Sequence, residues 1–193
     1  MRTTQITGAA KRPHREERHE REQYFFDDTT RRALADFVGR FENPCCLCAP
    51  TVAEELAARG RDVHVLDIDE RFAGLPGFVP FDIHRPRCLN ETYDLIFCDP
   101  PFFTVSLSAL FSAVRLLHEF EPGRPLLMTY LTRRAQAVES VFAPMGLTRT
   151  DLRPGYLTVQ SNPRNDIVLF SNFPIPKDLQ LTDPPRAPRV PRH

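Results

Sequence analysis

Residues 94–103 read DLIFCDPPFF, and this stretch sets the expectation for the rest of the chain. Five largely apolar residues lead to Asp99, and two prolines follow it at once. An apolar run bounded in this way is typical of a buried strand, and each proline fixes its own φ angle and removes one N–H donor. The strand is therefore predicted to end in a rigid loop that presents Asp99 at the edge of a sheet.

On either side of this strand, apolar strand patterns alternate with helical patterns. A first helix, with its apolar face between Leu34 and Phe41, is predicted behind a cap at Asp28 or Thr29. Strands are predicted at 45–49, 63–69, 77–82, 93–99, 125–131, 147–152 and 166–173, and later helices at 51–60, 107–117 and 132–142. Near-continuous apolar strands separated by helices predict an α/β fold, a doubly wound and mostly parallel sheet of seven strands with helices on both faces.

Length and charge limit what the chain can be. Its 193 residues are enough for one domain with a substantial core. The balance of 25 basic and 25 acidic residues gives no overall field that would attract nucleic acid or an anionic membrane. No apolar run reaches the roughly 20 residues that span a bilayer, and the amino terminus lacks the apolar core of a secretory signal. We therefore expect a soluble, cytoplasmic protein without a membrane partner.

The cysteines favour reduced, buried thiols. Their number is odd, five, and four of them lie in or beside apolar runs. Cys45, Cys46 and Cys48 are close together, but no second pair of metal ligands follows at zinc-site spacing. We therefore expect no metal site.

The two ends of the chain differ in composition from its centre. Residues 1–22 are charged, of mixed sign and poor in apolar residues, which predicts a disordered tail, with a basic anchoring arm as the alternative. Residues 174–193 are rich in proline and arginine, which predicts an extended tail. The folded domain is then expected to span 23–173.

Acidic or unusual segments follow the first four predicted strands. In a doubly wound sheet, ligands bind beyond the carboxyl ends of the strands, where strand order reverses. Asp67 and Asp69 end the second strand, where a carboxylate either accepts hydrogen bonds from ribose hydroxyls or caps the next turn. The loop after the first strand has Ala49 and Pro50 instead of glycines, which argues against a pyrophosphate and suits S-adenosylmethionine.

The DPPF segment, residues 99–102, has the features of an acceptor site for methyl transfer. Asp99 and the carbonyl of Pro100 can both accept hydrogen bonds from one planar amino group, while Phe102 stacks on the attached base. A rigid loop suits this chemistry, because the amine nitrogen must lie within about 3–3.5 Å of the methyl carbon. The alternative is a purely structural turn, because Asp-Pro-Pro also occurs where no strand precedes it, as in the DPPR segment at 183–186.

The motifs together resemble the N6-adenine methyltransferase-like family of small Rossmann-fold enzymes. This family includes lysine methyltransferases of translation elongation factor 1-alpha and the core of a ribosomal RNA adenine methyltransferase. The resemblance covers about residues 22–173 and is carried by four segments: EQYFFDDTTRRALA, CAPTVAEEL, LDIDERFA and DPPF. It implies a Rossmann-like class I methyltransferase sheet and S-adenosylmethionine as cofactor.

The resemblance also implies roles for individual residues. Asp67 would hold the cofactor ribose, with Asp69 as second choice, and Asp82 would lie by the cofactor adenine. The methionine end would meet Ala49 and Pro50. Two further sets complete the site: the acceptor pocket of Asp99, Pro100, Pro101 and Phe102, and a cover formed by Gln23, Tyr24 and Phe25. A hydrophobic staple before the first helix is the alternative interpretation of that cover.

Three hypotheses for the acceptor remain open. The first is adenine in RNA, or with lower priority DNA, with phosphates held by arginines such as Arg85, Arg87, Arg133 and Arg134. Phe102 favours RNA by family resemblance, and segment 162–166 is either near the acceptor or a surface hairpin. The second is a protein lysine, which the neutral net charge favours. The third is a catalytically silent scaffold, against which the intact DPPF segment argues.

Overall fold

The computed structural model describes residues 16–159 and 162–181. The strands are β1 (Pro44–Leu47), β2 (His64–Asp67), β3 (Phe78–Pro80), β4 (Leu95–Cys98), β5 (Leu126–Leu131), β6 (Thr148–Arg149) and β7 (Ile167–Ser171). The α-helices are α1 (Asp28–Val38), α2 (Pro50–Ala58), α3 (Leu107–Leu117) and α4 (Ala135–Val141). Short 3₁₀ turns occur at His19–Arg21, Glu70–Phe72, Thr132–Arg134 and Ala143–Met145.

The strands form one sheet in the order β3-β2-β1-β4-β5-β7-β6. The five strands β1 to β5 pair in parallel, and β7 lies antiparallel to both β5 and β6. This confirms the predicted α/β fold with a mostly parallel sheet of seven strands. Strand order reverses between β1 and β4, and a ligand site is expected beyond the carboxyl ends of these two strands.

Two apolar layers cover the two faces of the sheet. Strand β4 shows the division, because Ile96 packs on the face covered by α3 and α4, whereas Leu95 and Phe97 pack on the face covered by α1 and α2. The period of two along a strand sends alternate side chains to opposite faces, so a strand buried on both faces is apolar throughout. Across the described part of the chain, no helix is both long and apolar enough to cross a membrane.

The helix boundaries differ slightly from the predicted ones. The cap of α1 is Asp27, not Asp28 or Thr29, because its carboxylate accepts a hydrogen bond from the Thr30 N–H at 2.8 Å. Helix α2 begins at Pro50, one residue before the predicted start, since proline suits the first helical turn, where its missing N–H has no partner to lose. The helix predicted over 132–142 is divided into a 3₁₀ turn and α4.

The segment 174–181 differs from the extended tail that its composition predicts. Leu179 is 5% exposed and Leu181 is 2% exposed, and both pack with the layer that contains α1 and α2. The Leu181 carbonyl also accepts a hydrogen bond from the buried Thr30 hydroxyl at 2.7 Å. A few apolar residues thus hold this proline-rich segment against the domain. Residues 182–193 and 1–15, for which tails were also predicted, lie outside the described residues.

We expect Leu181→Ala to lower the free energy of unfolding by about 2–4 kcal/mol, because the truncation leaves a cavity at a nearly fully buried position. Chemical denaturation monitored by circular dichroism measures the change. Leu157→Ala is the matched control, since that side chain is 55% exposed and its loss should cost less than about 0.5 kcal/mol. Equal losses in the two variants would contradict the packing of segment 174–181.

Candidate active site

A cleft lies beyond the carboxyl ends of β1, β2 and β4, beside the reversal of strand order. It brings together all but one of the residues predicted for the site. These are Gln23, Tyr24, Phe25, Ala49, Pro50, Asp67, Asp69, Asp99, Pro100, Pro101 and Phe102. Tyr156, which the sequence analysis did not single out, also lines the cleft.

Asp99 is fixed at the centre of this cleft by both its backbone and its side chain. Its N–H donates to the Leu47 carbonyl at 3.1 Å, which holds the residue where β1 and β4 end. Its Oδ1 atom accepts hydrogen bonds from the Tyr156 hydroxyl at 2.7 Å and from the Thr129 hydroxyl. Both of these donors from the described residues meet Oδ1, so Oδ2 is left to accept from a bound molecule.

The surroundings of Asp99 bring its titration close to neutral pH. Burial raises the pKa of its carboxyl from 3.8 to about 7, and the hydrogen bonds from Thr129 and Tyr156 offset part of that rise. The charge of Asp67 across the cleft adds to it. Because an ionised carboxylate accepts stronger hydrogen bonds than a carboxylic acid, its ability to hold an amino group should increase as pH rises through 7.

Tyr156 reaches Asp99 because its loop is joined to the segment before α1. Asp27 donates to the Gly155 carbonyl at 3.0 Å, and Leu157 donates to the Phe25 carbonyl at 2.9 Å. A side chain at Gly155 would collide with the Asp27 carboxylate. Glycine at 155 therefore allows the close approach that brings Tyr156 to the site.

The loop after Asp99 is held by a second tyrosine. The Tyr130 hydroxyl donates to the Phe102 carbonyl at 3.2 Å, and the two rings meet edge to face with centroids 5.2 Å apart. Pro100, two residues before Phe102, is buried. Because Tyr130 and Thr129 both lie on β5, an internal strand next to β4, the sheet itself supports the DPPF segment.

Asp67, the last residue of β2, and Asp69, which follows the strand, have pKa values shifted in opposite directions. Burial raises the pKa of Asp67 from 3.8 to about 6, and its Oδ1 atom accepts from the Asp69 N–H at 2.8 Å. Burial also opposes ionisation of Asp69, but hydrogen bonds from Arg71 and Gln23 outweigh it and hold the pKa below its usual range. The carboxylate of Asp69 is therefore occupied by protein donors, with the Arg71 Nε and Gln23 Nε2 atoms each 2.9 Å from its Oδ2.

The loop between β1 and α2 turns tightly without glycine. Cys48 adopts the left-handed conformation with φ of 55°, which costs a non-glycine residue about 1–2 kcal/mol. Its N–H donates to the Leu66 carbonyl at 2.9 Å, and Ala49 and Pro50 follow it into the cleft wall. Burial and the nearby charges of Asp67 and Asp99 raise the pKa of the Cys48 thiol, so it stays protonated.

Residues 16–25 form a strap over the cleft, and we use that name for them below. The Glu22 carboxylate accepts from the Thr104 N–H at 2.8 Å and from the Phe103 N–H at 3.2 Å, which ties the strap to the loop after DPPF. Gln23 donates to Asp69 on the opposite side. The alternative of a hydrophobic staple is not realised, because the fourth residue of α1 is Arg31.

Asp82 is the predicted site residue that does not line the cleft. Its Oδ1 atom accepts from the His84 N–H at 2.9 Å and so closes the turn after β3. Arg85 and Arg87 are exposed in that same turn, away from the cleft lining. Within 16–159 and 162–181, no group of three or more His, Cys, Asp or Glu residues could hold a metal ion.

We expect Tyr156→Phe to lower kcat/KM for methyl transfer by about tenfold at pH 7. The lost hydrogen bond stabilises the Asp99 carboxylate, so its loss moves the pKa of Asp99 up and leaves less of it ionised at that pH. The acidic limb of the profile of kcat/KM against pH should therefore move to higher pH, with partial recovery at pH 9. Steady-state kinetics across pH 6–9 measures this.

Tyr130→Phe is the matched control for that variant, because its hydroxyl contacts the Phe102 carbonyl and not Asp99. The midpoint of the acidic limb should stay where it is in the unmodified protein. A profile that moved equally in both variants would contradict the role assigned to Tyr156.

Comparison with known protein families gives one match that covers most of the chain. Residues 17–175 match the family described as "Probable N6-adenine methyltransferase". The match includes the cleft, the seven strands of the sheet and all of the strap except its first residue, Glu16, and it confirms the family resemblance inferred from the sequence. A search of curated proteins returned no match.

Solved structures share the fold at low sequence identity. A putative RNA methyltransferase from Pyrococcus horikoshii has a TM-score of 0.58 at 12% identity, over 81% of this chain and 88% of that one. Magnesium protoporphyrin IX methyltransferase from Synechocystis PCC 6803 with bound SAM has a TM-score of 0.52 at 13% identity, over 75% and 78%. An S-adenosylmethionine-dependent methyltransferase from Clostridium acetobutylicum has a TM-score of 0.52 at 9% identity, over 75% and 90%.

Proposed function

The chain belongs to the family of probable N6-adenine methyltransferases, and from this premise we propose that it transfers a methyl group from S-adenosylmethionine to the exocyclic amine of adenine in nucleic acid, with RNA preferred over DNA. The single observation that carries the proposal is the arrangement around Asp99. A carboxylate with one oxygen bonded by two hydroxyls and the other left to accept lies beside the aromatic ring of Phe102 in one cleft.

The residues of the cleft fit S-adenosylmethionine. The buried Asp67 carboxylate at the end of β2 suits two ribose hydroxyls, and Asp69 is already bonded by Arg71 and Gln23, which favours Asp67 for this role. A loop of Ala49 and Pro50 suits a ligand without phosphates, because it offers no glycine for close approach to a pyrophosphate. When bound, the cofactor supplies an electrophilic methyl group on a positively charged sulfur.

The residues around the acceptor hold and orient the amine. The Asp99 carboxylate would accept one N–H of the adenine amino group, which draws the nitrogen lone pair out of conjugation with the ring. Phe102, held from behind by Tyr130, would stack on the base. A target in a duplex would first have to be flipped out of the stack.

A protein lysine is the alternative acceptor, and it uses the same fold, cofactor and pocket. Charge beside the loop after DPPF favours the nucleic acid. The guanidinium groups of Arg133 and Arg134 lie over the rings of Phe103 and Tyr130, while the Glu22 carboxylate accepts three hydrogen bonds from Phe103 and Thr104. A lysine arrives as a cation, which these two arginines would repel, whereas they would attract the phosphates of a nucleic acid.

Transfer of radiolabelled methyl from S-adenosylmethionine into a cell extract tests the proposal, with Asp99→Ala protein alongside. We expect incorporation that is lost after ribonuclease treatment and that is absent with the variant. Label that survives ribonuclease and deoxyribonuclease but is lost after protease would contradict the adenine proposal and establish the protein substrate. Equal label with Asp99→Ala would contradict the assigned site.

A further inference from the structure

A second groove lies next to the cleft on the far side of the DPPF segment. Its lining includes His19, Tyr24, Phe102, Phe103, Thr158 and Ile167. Tyr24 and Phe102 line both the groove and the cleft, so they form the wall between the two. A molecule whose reacting group enters the cleft beside Phe102 can therefore extend into this groove.

Phe102, the last residue of the DPPF segment, and Phe103, which follows it, have different surroundings. Phe102 is half-buried against Tyr130, whereas Phe103 is 66% exposed. The backbone under Phe103 is nevertheless fixed, because the Phe103 and Thr104 N–H groups both donate to the Glu22 carboxylate. An exposed aromatic ring on an anchored backbone offers a flat apolar surface at little cost in conformational entropy on binding.

A cation lies against the same ring. The Arg133 guanidinium carbon lies 5.6 Å from the centre of the Phe103 ring, and the Arg134 guanidinium carbon lies 5.8 Å from that of Tyr130. Arg133 is exposed, and no carboxylate among the described residues forms an ion pair with it. Since the guanidinium lies over one face of Phe103, the exposure of the ring leaves its other face for a ligand.

We propose that Phe103 and Arg133 form a subsite for the nucleotide adjacent to the target adenine. The neighbouring base stacks on the free face of Phe103, and its phosphate pairs with Arg133. Stacking on an aromatic ring tolerates any base, whereas the guanidinium requires an anion, so the ligand class is single-stranded polynucleotide. This inference rests on the proposed function, because it takes the acceptor to be a base in a nucleic acid.

Binding of a fluorescein-labelled nine-nucleotide RNA, with a central adenine flanked by uridines, tests the subsite by fluorescence anisotropy at constant salt. We expect Phe103→Ala to weaken binding by about 5- to 100-fold. Arg133→Gln should lower the slope of log Kd against log salt by about 0.7, the value for one phosphate on a single strand. Phe120→Ala should change neither quantity. It is the matched control, since Phe120 is 58% exposed with Arg115 at 4.9 Å from its centre, in the loop that precedes β5.

A second RNA, with an abasic site in place of each uridine next to the adenine, makes the test specific. If the neighbouring base stacks on Phe103, the abasic RNA binds weakly to the unmodified protein, and Phe103→Ala adds no further loss. The subsite would be overturned if the losses of binding free energy from Phe103→Ala and from the abasic sites added in full. It would also be overturned if the Phe103→Ala protein bound the RNA as tightly as the Phe120→Ala control.

Methyl transfer to the same RNA is measured in parallel and reports on the proposed function separately. Loss of affinity in Phe103→Ala, with kcat at saturating RNA unchanged, supports both the function and the subsite. Unchanged affinity with normal methyl transfer overturns the subsite alone. An unmodified protein that neither binds nor methylates any RNA or DNA overturns both.

Discussion

Replacing Asp99 with alanine is expected to lower kcat by about 10²- to 10³-fold while leaving the affinity for S-adenosylmethionine within about twofold. The side chain lies on the acceptor side of the cleft, and its loss removes the acceptor for the adenine amino group. The substitution leaves in place the carboxylate of Asp67, to which we assign binding of the cofactor ribose. Single-turnover methyl transfer measures the first quantity, and isothermal titration with the cofactor measures the second.

The effect should be larger than that of any other single truncation in the DPPF segment. Once the amino group loses the Asp99 carboxylate, the Pro100 carbonyl is its remaining acceptor, so the nitrogen is less well oriented and less helped to leave conjugation with the base. Phe102 contributes stacking alone, which binds ground state and transition state alike and therefore affects KM more than kcat.

Asp99→Asn controls for stability in this experiment. Alanine leaves the hydroxyls of Tyr156 and Thr129 without their shared acceptor, which destabilises the site on its own account. Asparagine keeps an acceptor oxygen for those hydroxyls but has no carboxyl group that can titrate. Its activity should not follow the acidic limb near pH 7 that the raised pKa of Asp99 predicts. An alanine variant that is folded and fully active would refute the role of Asp99.

The second large effect is expected for Asp67→Ala, which should raise the Kd for S-adenosylmethionine by about 10- to 100-fold. The carboxylate is 7% exposed, so hydrogen bonds that it forms with ribose hydroxyls are shielded from water. The value of kcat at saturating cofactor should change by less than about threefold, because this contact is the same in the ground state and the transition state. Isothermal titration and steady-state kinetics separate the two quantities.

Asp69→Asn is the matched variant for that experiment. The Asp69 carboxylate already bonds to Arg71 and Gln23, and an amide keeps part of those contacts, so we expect Kd to rise by less than about threefold. If Asp69→Asn weakened cofactor binding more than Asp67→Ala did, the ribose role would move to Asp69, the second choice from the sequence.

Sequence alone predicted the parts of the site that depend on strand ends. The carboxyl ends of parallel strands meet at one edge of a sheet, so Asp67 and Asp99 had to approach each other once the α/β alternation was recognised. Asp82 was assigned by the same argument, but in the structure its carboxylate bonds within its own turn. A residue at a strand end is brought to the correct edge, but its side chain is directed by local hydrogen bonds that strand position does not predict.

The hydrogen-bond partners of Asp99 were harder to predict from the sequence. Thr129 carried a usable signal, since it and Tyr130 are the two hydroxyl residues of the wholly buried strand β5 and each needs a hydrogen-bond partner. Tyr156 carried no comparable signal, because its position depends on the pairing of residues 25–27 with 155–157, which are far apart in the sequence.

Composition also misled at the carboxyl end of the domain. The abundance of proline in 174–181 predicts an extended segment, but the buried side chains of Leu179 and Leu181, together with the hydrogen bond from Thr30 to the Leu181 carbonyl, hold it against the layer that contains α1. Segment composition averages over residues, whereas burial depends on the few side chains that meet a partner.

The strap contacts both ends of the cleft, so its movement should affect the exchange of the cofactor and of the acceptor together. Glu22 joins it to the loop beside the acceptor pocket and the next residue, Gln23, joins it to Asp69 beside the cofactor end. Lifting the strap from one end strains the bond at the other, so the two halves of the cleft should open together. We therefore expect the residence times of cofactor and acceptor to be coupled.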